Sequence, residues 1–259
     1  MNKEKTTLSA LIITYNEVNH IHDVINNISF ADEIIVVDSF STDETYEALK
    51  KLQHVNVIQR DFKNFADQRN FAITKASSDW ILFIDADERL TPELQNSIQH
   101  ATKKQSDIVA YKIKRHFMFN QKMMKFSGLQ TDVIFRLFKN GSAKYHEDRI
   151  VHEQLDIKGK IDVLDGFMLH YSFSDYKSYK KKTEHYGKLK AQELFNKGIR
   201  PNWFHFFIKP AYKFLTNYLL RLGFLDGFEG YIICKLNAYG VHFRYKELKK
   251  LFSSSSPKQ

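Results

Sequence analysis

The chain has 259 residues, 43% hydrophobic and 27% charged, a globular composition that can bury the core of one large α/β domain with or without an appendage. Its single cysteine, Cys234, excludes an intrachain disulfide framework and fits a reducing cytoplasm. A formal net charge of +9 favours anionic partners such as nucleic acid, acidic membrane surfaces or phosphate-bearing substrates. The polar start suggests no signal peptide, and without a run of about 18 apolar residues a membrane-spanning helix is not expected.

Leu8–Thr14 reads as a buried strand, short and β-branched. A helix follows, capped by Asn16 or Asn19, with Val18, Ile21, Val24, Ile25 and Ile28 as its apolar stripe. Glu33–Asp38 is a second strand, Thr42–Lys51 a helix, Val55–Arg60 a third strand and Phe65–Ala76 another helix. Trp80–Asp85 is a fourth strand, and Pro92 favours a helix starting near Thr91. Strands alternating with helices imply a mainly parallel sheet with ligands beyond the carboxyl ends of the strands, where Thr14, Asp38, Arg60 and Asp85 fall.

After Ile108–Arg115 the pattern turns to strand and loop, with Asp132–Phe138, Lys144–Leu155 and Gly166–Tyr171 as strands or connections. From Asp175 it becomes helical, basic and aromatic, with basic runs at 177–190 and 244–250. Phe204, Phe207, Ile208, Ala211, Leu215, Tyr218, Leu219 and Leu222 recur at helical spacing, with Lys209, Lys213 and Arg221 off that stripe. Pro210 should kink this segment or begin a new helix. The final serine-rich residues read as disordered.

Four segments carry candidate chemistry. In Asp85-Ala86-Asp87-Glu88, two aspartates one residue apart at a strand end can approach a hard divalent cation and leave positions for phosphate oxygens. Equally, acidic turns of this kind can simply open a helix. Asp38 can accept from a nucleobase or ribose, whereas Ser41 or Thr42 reads better as the cap of the next helix, with Asp43 and Glu44 favouring its dipole. At the first strand end, Tyr15 can lie against a base and Glu17 can accept from a ribose, or the segment is a polar turn. Arg69 can neutralise a diphosphate or pair with a strand-end carboxylate.

Taken together, LIITYNE, EIIVVDSFSTDET, ADQRNFAI and DWILFIDADE resemble, in order and spacing, family 2 glycosyltransferases of the GT-A fold. The resemblance covers Leu8 to about Tyr171. It implies an α/β, Rossmann-like, mainly parallel sheet with a C-terminal helical extension. The catalytic domain would span 1–171, with a nucleotide-sugar half at about 8–105 and an acceptor half at 106–171. A helical extension at 172–252 and a disordered tail at 253–259 would follow. By the same resemblance Thr14, Tyr15, Glu17 and Asp38 hold the nucleoside and Arg69 lies near the diphosphate. The Asp85-Ala86-Asp87 turn meets the donor, with Asp87, supported by Asp85, on Mg²⁺ or Mn²⁺.

An inverting transferase needs a general base for the acceptor hydroxyl. Arg136-Leu137-Phe138 followed by Val151-His152-Glu153-Gln154-Leu155 resembles the bacterial subgroup of lipopolysaccharide-core β-glucosyltransferases. That points to Glu153 as the base with Asp148 second, while Glu147-Asp148 keeps the wider family's Glu-Asp pattern open. His170 can join the metal or the diphosphate. The resemblance implies a UDP-sugar donor, with glucose the leading sugar, and a saccharide or glycolipid acceptor.

The basic aromatic helices admit three readings: a cap packed on the core, a peripheral contact with an anionic membrane at its cytoplasmic face, or a homo-oligomer interface. No nucleic-acid motif accompanies the charge, so no nucleic-acid partner is expected. The rival readings are a nucleotidyltransferase, disfavoured by the absence of glycine in ITYNEVNH, and an inactive membrane-associated nucleotide-sugar-binding protein.

Overall fold

The computed structural model describes residues 6–129, 132–146, 155–173 and 175–254. The chain forms two compact units. One comprises the chain up to Arg115 together with Asp132–His170; the other comprises the segment beginning at His116 and the chain from Tyr171 onward.

In the first unit, β1 (Leu8–Thr14) lies between β2 (Glu33–Asp38) and β4 (Trp80–Phe83), parallel to both, and β3 (Asn56–Gln59) extends the parallel set beyond β2. Helices α1 (Val18–Asn27), α2 (Thr45–Lys50), α3 (Phe65–Lys75) and α4 (Pro92–Lys103) connect or follow these strands. Both faces of the sheet are covered, which explains why LSALIIT, EIIVVD and WILF read as apolar runs without polar alternation. Leu8, Ala10 and Ile12 pack with Ile21, Val24 and Ile25 of α1 on one face. Leu11, Ile35 and Phe83 pack with Ala66 and Ala72 of α3 on the other.

The sheet then continues through antiparallel pairings. β4 pairs with β8 (Val133–Lys139), and β8 pairs with β6 (Ile108–Phe119). A short strand, β5 (Glu88–Leu90), pairs with β11 (Lys160–Phe173), opposing Glu88 to His170. The sequence pattern missed β5, because three residues show no periodicity and the strand exists only through a partner some eighty residues away. A separate two-stranded sheet joins β9 (Ala143–Tyr145) to β10 (Leu155–Ile157). The remaining strand, β7 (Lys122–Met123), pairs with the end of β6 in the second unit.

Two local expectations need correction. Neither Asn16 nor Asn19 caps α1. Asn16 is left-handed at φ 58°, a conformation asparagine tolerates, and its Oδ1 accepts from the Thr42 and Asp43 amides at 2.7 and 3.3 Å. The amides opening α1 are met instead from the loop after β2: Glu17 donates to Thr45 Oγ1 at 2.9 Å and Val18 to Asp43 Oδ2 at 3.2 Å. The helix expected from Thr42 begins at Thr45, because Asp43 folds back to accept from the Thr45 amide at 3.1 Å. Thr91, by contrast, caps α4 as Pro92 suggests, accepting from the Leu94 amide.

The second unit is helical, with α5 (Tyr176–Asn196), the single turn α6 (Trp203–Phe206), α7 (Ile208–Leu215) and α8 (Gly227–Ser254). Pro210 sits in the first turn of α7, where its missing N–H costs nothing. Helices α5 and α8 approach closely because Gly240 lacks a side chain; a Cβ there would come within 2.5 Å of Thr183 Cγ2. Buried Asp226 accepts from the Lys125 and Phe126 amides at 3.0 and 2.9 Å and from Ser127 Oγ at 2.9 Å. Among the described residues no helix is long and apolar enough to cross a membrane.

Helix α7 is inside out. Phe207, Ile208, Ala211, Tyr212, Leu215, Leu219 and Leu220, on α7 and its flanking turns, are exposed, whereas Lys209 and Lys213 are half-buried and Asn217 is buried. Lys209 Nζ donates to Tyr245 of α8 at 2.9 Å. The stripe at helical spacing faces outward rather than into the core.

Candidate functional site

The parallel register sets Thr14 beside Asp38 at the ends of β1 and β2. Thr14 is buried, and its Oγ1 has no hydrogen-bond partner among the described residues. An orphaned hydroxyl at a strand end costs stability unless a ligand engages it. Asp38 is fully covered. Its Oδ2 accepts from the Ser41 amide and from Gln59 Nε2, each at 3.1 Å, and its Oδ1 accepts from Ser41 Oγ. Ser41 therefore anchors Asp38 instead of capping a helix. Tyr15, 56% exposed, and Phe40, 48% exposed, stand at the exits of the same two strands. Phe40 holds φ at +57°, a strained setting for a bulky side chain. The sequence reading passed over it.

Arg60 does not face this edge as a free cation. It pairs with Asp67 at 2.6 Å, donates to Gln68 Oε1 at 2.8 Å and lies over the Phe71 ring.

The acidic turn after β4 divides its carboxylates by partner. Asp85 Oδ1 accepts from Arg69 Nη2 at 2.9 Å, and Asp85 Oδ2 accepts from Arg136 Nη2. Of the two roles open to Arg69, the structure shows the pairing with a strand-end carboxylate, and Tyr145 Oη holds its Nη1 at 3.3 Å. Burial opposes ionisation of Asp85, but the Arg136 and Arg69 guanidiniums outweigh it and hold the carboxyl well below the usual carboxylate range. Glu88, fully buried, takes Arg115 at 2.9 Å and Arg136 at 2.8 Å on Oε1, and its Oε2 accepts the Asp85 amide at 2.9 Å. Arg89 Nη1 clasps the backbone of the turn, donating to the carbonyls of Ala86 and Glu88 at 2.7 Å each. Ala86 itself is buried.

Asp87 is oriented differently. Its Oδ2 lies 3.2 Å from His170 Nε2, with the two side chains 25% and 13% exposed. The β5–β11 register, which opposes His170 to Glu88, produces this approach. Two neighbouring ligands of an octahedral ion bound at about 2.1–2.2 Å are separated by about 3 Å, so one carboxylate oxygen and one imidazole nitrogen here suit a cation such as Mn²⁺. Among the described residues no three His, Cys, Asp or Glu side chains form a metal cluster. A two-ligand corner is the arrangement in which substrate phosphate oxygens and water complete the shell.

Sequence reasoning gave no part in this network to Arg136, Glu88, Arg89 or Arg115. Arg136 is 4% exposed, and a buried arginine in RLF needs a buried acid, which was the available signal. The candidate bases Glu153 and Asp148, with Glu147 and His152, lie outside the described residues.

Residues 9–186 match the family described as Glycosyl transferase family 2. An uncharacterised glycosyltransferase of Rickettsia typhi is 31% identical over 257 residues, covering 94% of this chain and 87% of its own. The lipopolysaccharide core biosynthesis glycosyltransferase LpsC of Rhizobium meliloti is 25% identical over 93% of this chain and 94% of its own. Among solved structures, the mannosyltransferase PcManGT of Pyrobaculum calidifontis, in complex with GDP-Man and Mn²⁺, is similar over 98% of this chain and 77% of that one. Its TM-score is 0.50 at 14% identity, a likeness of fold. The chain belongs to glycosyl transferase family 2 and has the GT-A fold.

Proposed function

We propose that this glycosyltransferase is metal-dependent and inverting, moving a hexose from a UDP-sugar to a lipid-linked or lipopolysaccharide-core saccharide, with glucose the leading sugar. The observation that carries the reading is the division of the acidic turn. Asp85 is fixed by Arg69 and Arg136, while Asp87 and His170 stand together with the spacing of two metal ligands. The acceptor class draws support from the lipopolysaccharide-core role for which the Rhizobium meliloti relative is named and from the RLF and VHEQL resemblance.

In this reading the ends of β1 and β2, at Thr14 and Asp38, form the nucleoside end of the site, Tyr15 covers the base and Glu17 accepts from the ribose. Asp87 and His170 would hold Mg²⁺ or Mn²⁺, with Asp85 in support. When bound, that ion supplies Lewis-acid neutralisation of the departing diphosphate. Arg69, held on Asp85, adds fixed positive charge beside the leaving group. Glu153, with Asp148 second, takes the proton from the acceptor hydroxyl. The acceptor oxygen then bonds to the anomeric carbon as the bond to the diphosphate oxygen breaks, and the nucleoside diphosphate leaves with the electron pair.

The exposed face of α7 supports a peripheral membrane position. Trp203, Phe207, Tyr212 and Leu220, on α6, α7 and the turn that follows, are each exposed by two-thirds or more, and large apolar side chains left in solvent favour an interaction surface. Such a position suits an acceptor carried on lipid.

The test is release of UDP from UDP-glucose and other UDP-hexoses with Mn²⁺, with and without a truncated core oligosaccharide. The reading expects slow hydrolysis alone and faster release with acceptor. Absence of both for every nucleotide sugar would overturn it.

A further inference from the structure

Helices α5, α7 and α8 of the second unit line an open cavity of about 290 Å³. Lys182 of α5, Lys213 of α7 and Arg244 of α8 line it, together with Asn237 and Tyr179, and among the described residues no carboxylate lines its wall. We infer that this cavity is an anion site that takes a phosphate or pyrophosphate group.

Two of these cations, Lys213 and Arg244, are placed against the stability of the protein alone. Lys213 is half-buried, and among the described residues neither Lys213 nor Arg244 makes a hydrogen bond or ion pair; Arg244 Nε is buried without a partner. Burial, and then repulsion from Arg221 and Arg244, push the Lys213 ammonium below its ordinary pKa. The same helices readily pair their other lysines: Lys190 and Lys197 with Glu193, and Lys250 with Glu247. Acids are available on these helices, yet none enters the cavity wall.

Among the neutral polar groups lining the cavity, Asn237 is also set as a donor. Tyr179 Oη donates to Asn237 Oδ1 at 3.0 Å, which leaves the Asn237 amide –NH₂ to give hydrogen bonds. Cationic and amide donors from three helices match the several oxygens of a phosphate better than the two of a carboxylate. The volume lies at the lower end of ligand pockets, typically about 300–1,000 Å³, and so fits a headgroup-sized anion rather than a nucleotide. Such a group can come from an anionic lipid or from a soluble phosphate ester. The inference is independent of the donor-site reading.

The test labels Lys213 on the full-length protein with acetic anhydride and maps the rate by peptide mass spectrometry, with Lys250 as internal reference and ionic strength held constant. Millimolar inorganic pyrophosphate is expected to slow acetylation of Lys213 by about fivefold or more, as near-saturation of a site requires. Arg244→Met should remove that protection, whereas Asp87→Asn should keep it. Protection by phosphatidic acid vesicles but not by phosphatidylcholine vesicles supports the site with a lipid source; protection by pyrophosphate alone supports it with a soluble one. An unchanged Lys213 rate with pyrophosphate and with phosphatidic acid, or equal protection in Arg244→Met, would overturn the site.

Discussion

Arg136 Nη2 donates to Glu88 Oε1 at 2.8 Å, with the arginine side chain 4% and the glutamate 0% exposed. The same nitrogen reaches Asp85. A buried guanidinium thus ties β8 to both ends of the segment from Asp85 to Glu88, and fixes the backbone on which Asp87 is carried.

Breaking that tie should be costly. Arg136→Met leaves Glu88 and Asp85 each short of a buried charge partner, and urea denaturation should show a loss of about 3–5 kcal/mol. Adding Glu88→Gln should recover part of it. A loss below about 1 kcal/mol would mean that the network does not hold the turn.

Thr14 separates binding from folding. Its hydroxyl is buried and unpartnered, so Thr14→Val should leave stability unchanged or slightly raised. If the hydroxyl engages the donor, the same substitution weakens UDP binding by about tenfold, the equivalent of one hydrogen bond of about 1.4 kcal/mol. Calorimetric titration of both proteins with UDP checks this, and equal affinities would remove Thr14 from the site.

The base assignment rests on resemblance. Glu153→Gln should keep UDP-sugar affinity and lower transfer by about 10²-fold or more. Asp148→Asn should do less. The reverse order in single-turnover rates would move the base to Asp148.

The outward face of α7 predicts lipid binding. Leu215→Glu with Leu219→Glu places two carboxylates where apolar side chains now meet solvent, so the fold should be retained. Co-sedimentation with phosphatidylglycerol vesicles should fall by about tenfold or more, since each apolar side chain inserted contributes on the order of 1–2 kcal/mol. Unaltered co-sedimentation would place the membrane contact elsewhere.

The parallel strands β1 to β4 were legible because their signals are local. TYNE, VVD and DADE are strand ends, and a strand buried on both faces announces itself as an apolar run that stops at a polar residue. What was hidden depends on distant pairing. Glu88 reads as one more acid of the turn until β11 pairs with β5 and the arginines at 115 and 136 arrive from β6 and β8. Asn16 looked like a helix cap because its residue type suits one; its left-handed backbone and its bonds to the next loop were not visible in spacing. Periodicity found the stripe on α7 but carries no sign: the same spacing describes a face turned inward or outward, and only burial decided.

The central claim is that Asp87, rather than Asp85, makes donor binding metal-dependent, and isothermal titration with UDP in the presence and absence of Mn²⁺ tests it most directly. Mn²⁺ should raise the affinity of the unaltered protein for UDP, whereas Asp87→Asn should fold normally but bind UDP equally with and without the ion. An Asp87→Asn protein that keeps the full Mn²⁺-dependent gain, or an unaltered protein that shows none, would contradict it.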